Sequence, residues 1–139
     1  MQQQITREPI AYEKIPTRIY QNSKTASQAV AREIADLIIL KQKENKPCVL
    51  GLATGSSPKS VYAELIRLHK DEGLSFKNVV TFNLDEYYPM EPDAVQSYWR
   101  FMREQLFNHI DIPAENYFIP DGTLPQEQIN EYCEQYERK

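Results

Sequence analysis

The sequence is short of cysteine, of long apolar runs and of positive charge, and each shortage narrows what the chain can be. Its two cysteines, Cys48 and Cys133, lie far apart and show none of the Cys/His spacing of a zinc site. They read as reduced structural thiols, with Cys48, at the start of an apolar run, acting as a small buried hydrophobe. No stretch approaches the roughly 20 uninterrupted apolar residues of a membrane span. The start Met1-Gln2-Gln3-Gln4 lacks the basic-then-apolar layout of an export signal. The expected setting is soluble and cytoplasmic, with no membrane partner. Against 20 Asp and Glu there are 16 Lys and Arg, a net charge of −4 and a pI near 5.2. That field repels polyanions, so nucleic acid is not an expected partner. An anionic small molecule would have to be held by backbone donors or a few placed cations.

What is present is the makings of one folded core. The 139 residues are 41% hydrophobic, 26% charged and 11% aromatic, too apolar for a disordered chain and of ordinary single-domain size. Pro9 and Pro16 interrupt residues 1–21, which read as an N-terminal arm over the surface or a short edge strand around Thr17-Tyr20. From Ser23 or Thr25 as N-cap, Ala26, Ala29, Val30, Ile34, Leu37 and Ile38 recur at helical spacing as far as about Lys43. The run Pro47–Ala53 has no polar alternation, which predicts a strand covered on both faces in a parallel sheet. Thr54-Gly55-Ser56-Ser57-Pro58 then supplies a cap, Ser57, and a proline at the first helical position. The helix that follows carries Val61, Tyr62, Leu65, Ile66 and Leu68 and stops at Asp71-Glu72-Gly73. A second apolar strand, Val79–Leu84, ends in Asp85-Glu86-Tyr87.

Strand, helix, strand at these lengths is a βαβ unit, and the expected fold is α/β: a doubly wound, mostly parallel, Rossmann-like three-layer sandwich. Pro89 and Pro92 hold residues 86–96 in a loop, and Ser97 caps a helix expected from Tyr98 to His109. A strand near Tyr117-Phe118-Ile119 and a helix from about Pro125, with Ile129, Tyr132, Cys133 and Tyr136 as apolar positions, complete the elements. That helix runs into Glu137-Arg138-Lys139 with no glycine or proline stop, and three strands make a thin sheet. The expectation is an N-terminal portion of a longer chain.

Ligands in open parallel sheets gather beyond the carboxyl ends of the strands. Two features fall there. The Thr54–Pro58 turn points backbone N–H groups and three hydroxyls at one spot ahead of a helix N-terminus, where the dipole favours an anion. Taken alone, the turn reads as an ordinary helix cap rather than an anion site. Asp85 and Glu86 follow the second strand, and a carboxylate there can take a proton from carbon next to a carbonyl or imine; the competing reading is a solvated loop acid. Their convergence would make one site for a phosphorylated metabolite. His69 and His109 close helices and read as structural, and Lys59 and Lys77 as solvated. Tyr87, Tyr88, Tyr98, Trp99 and Phe101 fit packing better than a sugar pocket.

At these residues a resemblance appears. Gly51-Leu52-Ala53-Thr54-Gly55-Ser56-Ser57-Pro58, the segment Ser75–Tyr87 containing Thr-Phe-Asn-Leu-Asp-Glu-Tyr, Ser97-Tyr98, and Asp111-Ile112-Pro113-Ala114-Glu115-Asn116 resemble the glucosamine-6-phosphate deaminase family, from about residue 24 onward. The resemblance implies that residues 22–139 are the N-terminal part of a deaminase/isomerase domain. It implies conversion of glucosamine 6-phosphate and water to fructose 6-phosphate and ammonia, with no metal or organic cofactor. Asp85 matches the proton-transfer base. Thr54, Gly55, Ser56 and Ser57 match the substrate-holding loop, on its phosphate side, and Glu86 and Tyr98 match positions bordering the pocket. Ser56 and Ser57 stand where some members have Gly-Thr. The family's ring-opening histidine, in a motif of the Asp-Gly-His-Ile-Ala-Phe-Asn type, is absent from these 139 residues, so the chain alone is expected to be inactive. A lactone hydrolase of a phosphogluconate and a noncatalytic sugar-phosphate sensor are the alternatives, and a homo-oligomer is compatible with either.

Overall fold

Residues 14–139 are described in the computed structural model. Of the arm expected at 1–21, residues 1–13 lie outside them, and residues 14–21 carry no helix or strand beyond one bridged residue, Ile19. Helix α1, Ser23–Lys43, starts from Asn22, not from Ser23 or Thr25. Asn22 is extended, and its side chain accepts the Thr25 N–H at 2.9 Å, satisfying one of the free donors at the helix start. The buried face of α1 is also not the one its large apolar residues suggest. Ser27, Ala31, Ala35 and Ile38 are buried, while Val30 and Leu37 are 44% and 39% exposed. Small side chains let α1 approach the next helix closely, and Ser27 Oγ donates to Ser60 Oγ across the gap at 2.9 Å.

Three parallel strands lie in the order β1 (Cys48–Leu52), β2 (Val79–Asn83) and β3 (Tyr117–Phe118), with β2 in the centre. Cys48 lies opposite Val79, Leu52 opposite Asn83, and Thr81 opposite Tyr117, so the tips of β1 and β2 are level. The crossover is α2, Lys59–Glu72, ended by Gly73 at φ +75°, where glycine avoids the Cβ penalty of the left-handed region. Pro58 occupies the N-cap position of α2 and no side chain caps it; Ser57 does not play the expected capping role. Helix α3, Tyr98–Gln105, is capped as expected by Ser97, whose hydroxyl accepts the Arg100 N–H at 3.3 Å. It stops short of His109, because the backbone turns at Leu106 (φ −147°, ψ −63°) into a single 3-10 turn, Phe107–His109. Helix α4, Ile129–Glu137, is preceded by another 3-10 turn, Gln126–Gln128.

Cys48, Leu52 and Val79 from the strands join Ile38, Leu65, Leu68, Phe76, Met102 and Leu106 in one buried cluster. The other face of the sheet is covered unevenly. Phe82 stacks on Phe118 at 4.9 Å and meets the edge of Tyr136, from α4, at 6.0 Å. Over β1 nothing comparable packs among the described residues, and Val49 is 60% exposed. The cover on both faces expected for β1 is therefore found on one face only. Cys133 likewise lies on the exposed side of α4, whereas Cys48 is buried as expected.

Candidate active site

The end of β1 becomes the first wall of the site. After Leu52 the chain leaves the ladder, and Gly55 adopts φ +96°, a conformation strained for any residue with a Cβ. The carbonyl of Ala53, freed from the sheet, is taken by Tyr62 of α2, whose hydroxyl donates to it at 2.5 Å. Burial pushes the Tyr62 phenol up to about 12, with the Ala53 hydrogen bond opposing, so it stays a donor throughout the physiological range. The first bond of α2 from beyond its cap runs from Tyr62 N–H to the Pro58 carbonyl at 2.9 Å. The N–H groups of Lys59 and Ser60 precede it and have no helical partner. Gly55, Ser56 and Ser57 are exposed, and Thr54 is half-buried.

The end of β2 forms the second wall. Asn83 is buried, and its side-chain amide donates to the Leu52 carbonyl at 3.0 Å, tying the two tips together. Tyr136 approaches from the opposite face, and its hydroxyl meets the carbonyls of Asn83 (2.7 Å) and Phe118 (3.0 Å). Asp85 follows, exposed, with no hydrogen bond to its carboxylate among the described residues. Glu86 is placed differently. Its Oε1 accepts from Tyr87 N–H (2.9 Å) and Tyr98 N–H (3.0 Å), and its Oε2 from Trp99 N–H (3.1 Å) and the Ser97 hydroxyl (3.2 Å). The expectation that Glu86 borders a substrate pocket meets a carboxylate whose two oxygens are already engaged by α3.

Tyr98 joins the walls. Its ring packs on Tyr87 at 4.9 Å. Its phenol is held above the ordinary value, first by hydrogen bonding with the Tyr87 side chain and further by burial and the negative charge of Asp85; Thr54 acts the other way. The remaining aromatics split as packing predicts: Trp99 meets Tyr117 at 5.9 Å, and the Tyr88 hydroxyl donates to the Leu124 carbonyl at 2.9 Å. Lys59 is not simply solvated; its ammonium lies 5.5 Å from the centroid of Phe101. His69 and His109 have structural contacts, with ring nitrogens 2.6 Å from the Leu74 carbonyl and 3.0 Å from the Glu104 carbonyl.

Several residues shape the site in a role that no local sequence signal marks: Tyr62, Asn83 and Tyr136, which satisfy strand-tip carbonyls, and Gly122. The Gly122 carbonyl accepts the Met90 N–H at 2.8 Å, and a Cβ on Gly122 would lie 2.7 Å from the Tyr87 carbonyl oxygen. Only glycine permits that approach, which braces the 86–96 loop. Cavities are formed by the described residues. One of about 450 Å³ is lined by Lys46, Lys77, Asn78 and Asn116, and one of about 370 Å³ by Trp99, Tyr117, Tyr132 and Tyr136. Among the described residues no group of three or more His, Cys, Asp or Glu side chains could hold a metal ion, and no helix is long and apolar enough to cross a membrane.

A parallel sheet flanked by helices, with polar residues following the carboxyl ends of β1 and β2, defines a Rossmann-like α/β fold. The chain belongs to the glucosamine-6-phosphate isomerase/6-phosphogluconolactonase family, whose pattern matches residues 21–139. It is 50% identical over 127 residues to a glucosamine-6-phosphate deaminase-like protein of Bacteroides thetaiotaomicron, a match covering 91% of this chain and 19% of that one. A monomeric glucosamine-6-phosphate deaminase of known structure superposes with a TM-score of 0.78 at 42% identity, over 85% of this chain and 46% of the other. The 6-phosphogluconolactonase of Thermotoga maritima superposes less closely, with a TM-score of 0.64 at 28% identity, over 81% and 48%. The chain therefore spans less than half the length of these relatives.

Proposed function

We propose that the chain forms the phosphate cradle and proton-transfer edge of a glucosamine-6-phosphate deaminase. The observation that carries this reading is the level register of the two strands, with Leu52 opposite Asn83 and the Asn83 amide donating to the Leu52 carbonyl at 3.0 Å, so that the Thr54–Ser57 turn and Asp85 leave the sheet at the same edge. The substrate phosphate is placed on the hydroxyls and N–H groups of Thr54–Ser57 and the free N–H groups at the start of α2. The opened sugar then extends towards Asp85.

With the aldehyde at C1, the C2 hydrogen is acidic, and the Asp85 carboxylate takes it as the electron pair moves through C2–C1 onto the carbonyl oxygen. Returning the proton to C1 leaves a C2 imine. Water adds to that imine, and the C2–N bond breaks to release ammonia and the ketose. The ring-opening histidine that the family resemblance implies has no counterpart in these residues, so ring opening is assigned to none of them. Higher identity to the deaminase than to the lactonase, 42% against 28%, favours this reading over lactone hydrolysis.

The test is ammonia release from glucosamine 6-phosphate, together with solvent-deuterium exchange at C2, by the complete polypeptide that contains this chain. Asp85→Asn should abolish both while leaving sugar-phosphate binding intact. Retained C2 exchange would remove Asp85 as the base. Binding without turnover by the unsubstituted protein would instead support a sensor.

A further inference from the structure

Among the acidic residues at the strand tips, Glu86 stands apart in having its side chain fully committed inside the fold. Its two oxygens take the N–H groups of Tyr98 and Trp99, while the N-cap Ser97 takes that of Arg100. The first three donors of α3 are thereby satisfied, two of them by a carboxylate that arrives from the end of β2. A negative charge there is favoured by the helix dipole as well as by the hydrogen bonds. The neighbouring Asp85 has no comparable hold on its own side chain.

We infer that Glu86 is a positioning residue for Asp85, a role that rests on the proposed deaminase function. The backbone of Asp85 is held on one side by the β2 ladder and the Asn83-to-Leu52 bond, and on the other by the Glu86 clamp. Because the clamp grips the backbone of Tyr98, it also fixes the ring that packs on Tyr87 at 4.9 Å, just beyond Asp85 in the chain. The loop 86–96 between the clamped ends can then be long without letting the base drift from the cradle. Glu86 is thus assigned to orientation and not to substrate contact, although it sits beside the base in sequence.

Glu86→Ala and Glu86→Gln in the complete polypeptide test this. Loss of orientation at the reacting atoms lowers kcat by roughly 100-fold in the alanine variant, with KM changed by less than about threefold. Glutamine keeps one acceptor oxygen for the N–H groups of α3, so it should restore part of kcat. In the 139-residue chain, amide exchange at Tyr98 and Trp99 should accelerate by about tenfold or more in the alanine variant, as loss of a charge-assisted hydrogen bond requires. A raised KM with unchanged kcat would make Glu86 a substrate contact and overturn the inference. Faster amide exchange with unchanged kcat would reduce it to a helix cap and equally overturn it. Asp85→Asn in the same assay separates the two levels. If it is inactive while Glu86→Ala is normal, only the positioning role fails; if it turns over normally, the deaminase reading fails as well.

Discussion

Asp111 offers the clearest test of how the root of β2 is secured, since that strand carries Asp85 at its other end. One carboxylate oxygen accepts the Phe76 N–H at 2.6 Å, and the other accepts the Ser75 hydroxyl at 2.8 Å. His69 Nδ1 lies 3.7 Å away, and the Asp111 side chain is 30% exposed. Burial alone would raise the Asp111 pKa, but the hydrogen bonds from Phe76 and Ser75 and the charge of His69 outweigh it, and the net shift is downward. Replacing Asp111 by Asn keeps one acceptor oxygen and turns an NH₂ towards the other donor. With hydrogen bonds to a charged group contributing roughly 1.5–3 kcal/mol each, and partial exposure discounting that figure, the cost at pH 7 is about 1–2 kcal/mol. The pH dependence has a definite sign. A depressed carboxylate contributes stability fully above its unfolded pKa, near ~3.9, and loses it as pH falls through the lower folded value. Urea unfolding followed by Trp99, the single tryptophan, should show a gap between the two proteins at pH 7 that closes below about pH 4. A gap under about 0.5 kcal/mol at neutral pH, or one that persists unchanged into acid, would refute this account of Asp111.

Two further outcomes can be read directly from packing. Gly122→Ala forces a Cβ to 2.7 Å from the Tyr87 carbonyl oxygen and 2.8 Å from that of Met90, so it should destabilise the chain by about 1–3 kcal/mol and speed amide exchange at Met90. Wild-type stability for that variant, measured by urea titration, would show that the brace is not tight. For the thiols, burial raises the Cys48 pKa while Cys133 is exposed, so a disulfide reagent should modify Cys133 in the native protein and Cys48 only after unfolding. Two fast thiols per chain would contradict the buried placement of Cys48.

The elements that sequence reading located best are those with a continuous signal. The runs at β1 and β2 were legible as continuous apolar stretches, although Val49 of β1 is exposed, and the stripe of Tyr62, Leu65 and Leu68 between them because burial and apolar character coincide there. They diverge in α1. Its seam against α2 uses Ser27, Ala31 and Ala35, small residues that apolar periodicity ranks below the exposed Val30 and Leu37. What selects the seam is the close approach of a second helix, information held in Ser60 far along the chain. The end of α3 was illegible for a related reason. Leu106 and Phe107 keep an apolar spacing and are buried, but they reach the core through a 3-10 turn instead of a continued α-helix.

The candidate site divides along the same line. Thr54, Gly55 and Asp85 could be singled out because a strand followed at once by a small-residue turn or an acid is a local pattern, and parallel sheets place such ends together. The side chains that make the placement firm are nonlocal. Where a ladder stops, its last carbonyls lose their strand partners, and left to water they would leave the tips free to fray. Here Asn83 takes the Leu52 carbonyl, Tyr62 that of Ala53, and Tyr136 those of Asn83 and Phe118. Each donor comes from a different element, so the tips are bound to α2, to each other and to α4. Glu86 adds the fourth tie, to α3. Read locally, Asp85-Glu86 is a pair of surface acids; in the fold, one of them is spent on holding the turn so that the other remains unbonded and exposed at the edge. Under the proposed deaminase function, the base that collects a proton from carbon needs that freedom of its own oxygens together with a fixed backbone, and a division of labour between Asp85 and Glu86 would provide both.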